Sequence, residues 1–383
     1  MIIEKIDLYK VPPRWVFLKI TTKSGYTGWG EPIVEGKADA VIATVKDMEQ
    51  LLIGRDANQI EDIFQVLSKG GFYRGGIILM SAISGIEQAL WDLKGKYFNA
   101  PVYQFLGGAV REKMRIYSWV GSDTPDGVAQ QAIKRINEGF SAVKMNLSGQ
   151  LDRHVNDKTI KVLKSMVKEV RDAIGEENDL AVDFHGRIHK NMAKRLIREI
   201  EEFSPMFIEE PLLPEHSDLY RTLSTMTHIP MAAGERLVGR KEFKELIHEG
   251  SLDILQPDLS HVGGIWEAKK IAAWAETSDM VIALHCPLGP IAFAAALQFD
   301  FCTHNVLIQE TSMGIHYHDN KFDLLTCVAN KSDFTLYSGF IHRNDKPGLG
   351  VDIDETVVKE LTKIGHEWKN PVWRSADGSF VEW

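Results

Sequence analysis

Apolar residues change their spacing near residue 112. Before that point, residues 2–10, 15–22 and 26–31 are rich in strand-forming side chains, separated by Pro12-Pro13 and a Lys23-Ser24-Gly25 turn. This predicts a small antiparallel meander. Helical spacing follows at 40–52 and 60–67. It is clearest at Ala82, Ile83, Ile86, Ala89, Leu90 and Leu93, which fall on one stripe. Strands first and helices after is the α+β pattern. Pro101 and the Leu106-Gly107-Gly108 break close this module, 1–112.

Beyond it, short apolar runs alternate with amphipathic helices. The runs are 116–120, 142–146, 180–185, 206–209, 231–234, 254–257, 281–285 and 306–310. Between them, spacing such as Leu163, Met166, Val167, Val170 and Ile174, with Gly175 as a stop, is helical. Eight such repeats predict an α/β fold with a parallel barrel over 113–350. A doubly wound open sheet is the alternative, but it carries a glycine fingerprint after its first strand. The one similar cluster, Gly28-Trp29-Gly30, lies inside the meander with no helix opening after it. Residues 351–383 hold one helical stretch and an aromatic tail with Trp368, Trp373 and Trp383, expected to pack back on the first module.

Composition narrows the partners. Of 383 residues, 44% are hydrophobic and 25% charged, as in an ordinary globular protein. A net charge of −9 argues against nucleic acid and membrane surfaces. An anionic substrate would therefore need local positive charge, and a bound metal is one source. Charges interrupt every apolar pair of the first residues, so no secretory h-region is expected, and no apolar run is long enough to span a bilayer. Cys286, Cys302 and Cys327 form no CxxC pair. The cytoplasm is the default compartment.

In a barrel, chemistry collects at the C-terminal strand ends. Here those ends carry Lys144 and Asn146, Asp183 and His185, Glu209, Glu235, Asp258, His285 and Glu310. Any one of these alone reads as a solvated or capping residue; seven successive strand ends bearing them do not. Asp183, Glu209 and Glu235 stand 26 residues apart in turn, one strand–helix unit each, so adjacent strands aim three carboxylates at one point. All-oxygen donors suit Mg²⁺, or Mn²⁺, rather than zinc. Asp258 and His285 come from neighbouring strands, close enough for the carboxylate to orient the imidazole as a general base. His185 should face His285 across the mouth and supply an acid. Cys286 should point away from His285, which excludes a Cys-His nucleophilic pair.

These residues resemble the enolase superfamily, in its mandelate racemase subgroup, across essentially the whole chain, and within it most closely the D-galactonate dehydratases. The motifs that carry the resemblance are Val182-Asp183-Phe184-His185-Gly186-Arg187, Phe207-Ile208-Glu209-Glu210-Pro211, Ala233-Gly234-Glu235-Arg236, Gln256-Pro257-Asp258-Leu259-Ser260-His261 and His285-Cys286-Pro287-Leu288-Gly289-Pro290. The resemblance implies an N-terminal α+β capping domain, a modified (β/α)₇β TIM-type barrel and a homo-oligomer. It further implies one Mg²⁺ on Asp183, Glu209 and Glu235, a His285–Asp258 base dyad, His185 as acid, and Glu310 as electrophilic partner of the substrate carboxylate. The expected reaction is loss of water from a sugar acid, giving a 2-keto-3-deoxy acid. Many subgroup members carry Lys-x-Lys on the second barrel strand, whereas this chain reads Lys144-Met145-Asn146. Without the second lysine, two-base racemisation loses a partner. Lys144 is then expected to steady the carboxylate or metal, and Asn146 a substrate hydroxyl.

Other readings are a dehydratase of another aldonic or aldaric acid, an epimerase, a barrel without turnover, and a metal-dependent hydrolase. The last usually draws on paired histidines at a strand end, and His316-Tyr317-His318 lies beyond the last strand. Loops at Pro12-Pro13-Arg14-Trp15 and Phe72-Tyr73-Arg74-Gly75-Gly76 are candidates to close over the mouth, with Arg14 and Arg74 equally readable as solvated charges. His316, in the loop after the eighth strand, is within reach of substrate but reads more readily as a surface residue, and the remaining histidines, His261 among them, are given no role.

Overall fold

A computed structural model describes residues 1–147, 149–315 and 322–383. His316 and His318 lie outside the described residues. Strands β1 (Ile3–Val11), β2 (Trp15–Thr22) and β3 (Thr27–Gly30) form the antiparallel meander, with Ile6 opposite Ile20 and Leu8 opposite Leu18. Helices α1 (Ala38–Leu52), α2 (Ile60–Lys69) and α3 (Ile77–Phe98) pack on it, and a single turn, α4 (Val102–Phe105), leads out.

The Gly28-Trp29-Gly30 cluster is explained by this packing. A Cβ on Gly30 would stand 1.8 Å from the Gly85 carbonyl oxygen, and one on Gly28 2.2 Å from that of Ala89. These glycines let β3 lie directly on the α3 backbone. Gly30→Ala is therefore expected to cost about 1–3 kcal/mol, because both sides of the contact are backbone and neither can rotate away. Thermal melting against the parent protein checks this; an unchanged midpoint would mean that β3 can lift off α3 freely.

The barrel strands are β4 (Lys113–Val120), β5 (Ala142–Asn146), β6 (Asp179–Asp183), β7 (Phe207–Glu209), β8 (Met231–Ala233), β9 (Ile254–Leu255), β10 (Val281–Ile282) and β11 (Gln309–Thr311). They pair in parallel and in chain order from β4 to β10. An Ile282–Val306 bridge and the β11–β4 pairing complete the ring. Between successive strands run α5 (Pro125–Asn137), α6 (Asp157–Ile174), α7 (Lys190–Ile200), α8 (Tyr220–Ser224), α9 (Arg240–Glu249), α10 (Ile265–Glu276) and α11 (Pro290–Phe301). The architecture is a capping domain plus a (β/α)₇β barrel. A short hairpin, β12 (Leu336–Tyr337) and β13 (Phe340–His342), adds an antiparallel extension to β4. Helix α12 (Glu355–Ile364) is tied to the meander through Glu355, which accepts from Tyr9 at 3.2 Å and Lys19 at 2.7 Å.

Cap and barrel interlock through α3, which buries polar groups besides its apolar stripe. Glu87 accepts from the backbone N–H groups of Ile265 and Trp266 at the start of α10. From the end of the meander, Glu31 does the same for Gly289 and Ala292 at the start of α11. Carboxylates suit helix N-termini, where backbone donors lack partners. Burial pushes Glu87 up to about 7 and Glu31 to about 8, against the lowering effect of those backbone donors.

Candidate active site

One side chain from each barrel strand, or its immediate flank, fills the barrel interior: Tyr117, Ala142, Ala181, Phe207, Ala232, Ile254, Ala283 and Ile308. All are at most 2% exposed. Side chains on a strand alternate, so the residue two positions on points into the same axis one layer higher. Two residues beyond this plug stand Lys144, Asp183, Glu209, Gln256, His285 and Glu310. The site is thus the next layer of the same stack. Glu235 breaks the count, standing three residues after Ala232, because Gly234 takes φ +135° and inserts an extra step. Six of the eight strands are shorter than their apolar runs predict; Lys144, Asn146, Asp183, Glu209 and Glu310 still lie on strands, whereas His185, Glu235, Asp258 and His285 sit on the turns that follow.

His185 is the clearest correction. The sequence places it on a strand, sharing a face with Asp183, but β6 ends at Asp183 and His185 has φ +57°. The two side chains meet through a turn instead. The His185 N–H donates to Asp183 Oδ1 at 2.5 Å, and its ring Nδ1 lies 3.0 Å from Asp183 Oδ2. A carboxylate only accepts, so Nδ1 carries a proton and Nε2 is the nitrogen left for chemistry. Arg236 holds this turn by donating to the His185 carbonyl at 2.5 Å.

At the centre, Lys144 is 2% exposed, with Nζ 2.6 Å from Glu209 Oε1 and 2.8 Å from Glu310 Oε1. Burial opposes its charge, but Glu209 and Glu310 outweigh that and raise it well above the ordinary lysine value. Gln256 donates to the other Glu209 oxygen at 2.7 Å. Glu310 Oε2 accepts from the Cys286 N–H at 2.9 Å. In this arrangement one Glu310 oxygen faces an ammonium and the other a backbone amide. Asn146 Oδ1 accepts from Trp119 Nε1 at 2.8 Å, which fixes the orientation of its amide.

The second histidine is held as the sequence implies. His285 Nδ1 lies 2.8 Å from Asp258 Oδ2, and its Nε2 is 3.5 Å from Glu235 Oε2. Burial works against a proton on this ring, yet Glu235, Asp258 and Glu310 raise it well above the ordinary histidine value. Glu209 shows the converse strain. Burial raises its carboxyl well above the usual range, Lys144 opposes this, and Asp183, Glu310 and Glu235 add to it. The Cys286 thiol is also raised well above normal, first by burial, so it presents no thiolate.

Asp183, Glu209 and Glu235 have the donor chemistry for a hard divalent cation. Glu235 Oε2 is buried without a hydrogen-bond partner, as an oxygen reserved for a cation would be. Among the described residues, however, no three His, Cys, Asp or Glu groups stand close enough together to chelate one. Both Glu209 oxygens meet Lys144 and Gln256, and both Asp183 oxygens meet His185. The three residues fit the ion by chemistry, and a bound cation would take over contacts that these neighbours now make.

The capping loops divide. Arg14 is 7% exposed, donates to the Pro287 carbonyl at 3.1 Å and lies 3.5 Å from Glu35. Arg74 is exposed, and the Phe72 and Tyr73 rings beside it are 93% and 90% exposed. Sequence reasoning missed Gln256 and Arg236, although both lie inside motifs at strand ends. It also missed His261, whose Nδ1 is 2.9 Å from Ser81 Oγ and whose Nε2 is 3.7 Å from Glu35 and 3.8 Å from Asp258. No pattern in the sequence links Glu35 and Ser81 to Asp258.

Comparison with known proteins places this geometry. Residues 12–107 match the model of the mandelate racemase/muconate lactonizing enzyme N-terminal domain, and residues 127–357 that of the enolase C-terminal domain-like family. A proposed mandelate racemase/muconate lactonizing enzyme from Burkholderia is 32% identical, with 94% of each chain covered and a TM-score of 0.86. A proposed dehydratase from Mesorhizobium loti is 30% identical over 94% of this chain and 98% of that one, with a TM-score of 0.87. An enolase superfamily member from Salmonella typhimurium gives the same four values.

Proposed function

The chain belongs to the mandelate racemase/muconate lactonizing enzyme family of the enolase superfamily, and from that premise we propose that it removes water from a sugar acid, D-galactonate first among the candidates, to give the 2-keto-3-deoxy acid. The observation that carries this reading is the pair of histidines whose Nδ1 atoms each face a carboxylate, which leaves two Nε2 atoms for acid and base work. A proton beside a carboxylate is weakly acidic, since its loss puts a second negative charge on the same group. Magnesium, typical of this superfamily, would be held by Asp183, Glu209 and Glu235 and supply positive charge for the enediolate.

The chain's own residues do the rest. His285, oriented by Asp258, takes the C2 proton. His185 gives a proton to the C3 hydroxyl, the C3–O bond breaks, and water leaves. The enol that remains tautomerises to the keto acid. Lys144 lies where it can meet substrate carboxylate charge, and Asn146, its amide fixed by Trp119, is placed for a substrate hydroxyl. Epimerisation is disfavoured because Asn146 stands where a second lysine base would act.

A panel of aldonic and aldaric acids scanned for keto-acid formation, with and without EDTA, tests this first. Keto acid from one or a few of them, lost with EDTA and restored by Mg²⁺, is the expected result. Turnover unaffected by EDTA, or inversion without water loss, would overturn the reading. His185→Asn is expected to separate the steps: C2 exchange with deuterated water persists, while dehydration falls by about 10²-fold or more, the range for a positioned acid. Proton NMR of the same reaction reads both.

A further inference from the structure

The segment after α12 does not stop at the capping domain. Residues 365–383 cross to the barrel mouth, where a hairpin of β14 (Trp373–Arg374) and β15 (Phe380–Val381) turns the chain inward. Three tryptophans meet there. The Trp383 ring lies 6.2 Å from Trp368 and 6.4 Å from Trp373. Each outer ring is covered by an almost fully buried arginine: Arg14 of the cap sits 5.0 Å over Trp368, and Arg187 of the β6 turn 5.1 Å over Trp373. Gln150, beyond β5, donates to the Arg374 carbonyl at 2.5 Å, fastening the hairpin to the barrel. The chain of contacts therefore runs cap, tail, barrel.

At its centre the Trp383 ring and the His185 imidazole meet edge to face, with centroids 5.9 Å apart and planes at 87°. This is the favoured T-shaped arrangement, in which a ring edge meets a π-face. Among the described residues the His185 ring is hydrogen-bonded by Asp183 at Nδ1 alone, and its backbone is in the left-handed region, so the far side of the ring needs a second support. Among the described residues Trp383 is the aromatic ring that meets it. His285, across the site, has Asp258 on one nitrogen and Glu235 beside the other.

We propose that Trp383 is a positioning residue for His185, and that the Trp368–Trp383–Trp373 cluster forms the wall of the leaving-group side of the site. The proposal rests on the dehydratase reading for its kinetic consequence. Proton removal by His285 does not need this wall, whereas delivery of a proton to the departing hydroxyl does. A mobile imidazole, or water entering beside it, affects the second step alone.

The test measures two rates in one enzyme. In Trp383→Leu, dehydration is expected to fall about tenfold, the equivalent of one lost aromatic pair, while C2 exchange in deuterated water keeps the parent rate. Trp383→Phe should restore most of the dehydration, because it returns an aromatic ring to His185. Exchange and dehydration falling by the same factor would mean that Trp383 only supports the fold, and no change in either would mean that the contact is idle; both results overturn the proposal. A second measurement needs no substrate. At fixed pH the His185 ring protons, assigned through His185→Asn, should shift in Trp383→Leu as the indole ring current is removed. If the parent protein neither exchanges nor dehydrates any sugar acid, the dehydratase reading fails, and the proton shifts still judge the contact: unmoved resonances overturn it.

Discussion

His285→Asn is expected to abolish exchange of the substrate C2 proton and, with it, all keto-acid formation. The imidazole is held by Asp258 at 2.8 Å through Nδ1, so its Nε2 is directed into the layer that holds Lys144, Glu209 and Glu235. An asparagine amide can keep a hydrogen bond to Asp258, but it has no basic nitrogen. A positioned general base contributes about 10²–10⁴-fold. Proton NMR in deuterated water reads C2 exchange directly. Retained exchange would remove His285 from the base role, and exchange lost with dehydration retained would mean that the order of steps is wrong. The contrast with His185→Asn, where exchange persists, makes the two histidines separable.

The second large effect is on stability. Lys144→Met is expected to destabilise the protein by about 3–5 kcal/mol, the range for removing one partner of a buried ion pair. Glu209 and Glu310 are 0% and 2% exposed, and both face the same ammonium. Methionine fills the volume but leaves two buried carboxylates without their cation. Urea unfolding measures the loss, and Lys144→Met combined with Glu310→Gln should recover part of it, since one of the uncompensated charges is gone. Mg²⁺ should also offset part of the loss if Glu209 is a ligand, because the carboxylate freed from Lys144 would then find another cation. A loss below about 1 kcal/mol would mean that the two carboxylates are protonated or hydrated when Lys144 is absent.

Much of this fold is legible from residue spacing. Period-two runs and 3.6-residue stripes locate the meander, the eight barrel strands and α12, because burial on one face imposes those periods whatever the neighbours are. The chemistry at strand ends is legible for the same reason: Lys144, Asp183, Glu209, His285 and Glu310 are the next inward positions after Ala142, Ala181, Phe207, Ala283 and Ile308. Strand ends are not legible, since apolar runs continue into turns. That is why His185, two residues past Asp183, reads as a strand residue and is found in a left-handed turn. Glu310 reads as an electrophilic partner of a substrate carboxylate, and only the fold shows that its oxygens meet Lys144 and the Cys286 N–H.

Local sequence, then, determined which residues face the barrel axis and which elements carry them, because alternation and helical period are properties of neighbouring positions. It did not determine which of those residues meet. Lys144 between Glu209 and Glu310, His261 between Ser81 and Glu35, and Trp383 against His185 join positions 65 to 226 residues apart. Such contacts arise only when the ring closes, the cap docks through α3, and the segment after α12 crosses the mouth. The distances that set charge and protonation in the site are fixed at that stage, since Coulombic and hydrogen-bond energies depend on separation in space and not on separation along the chain.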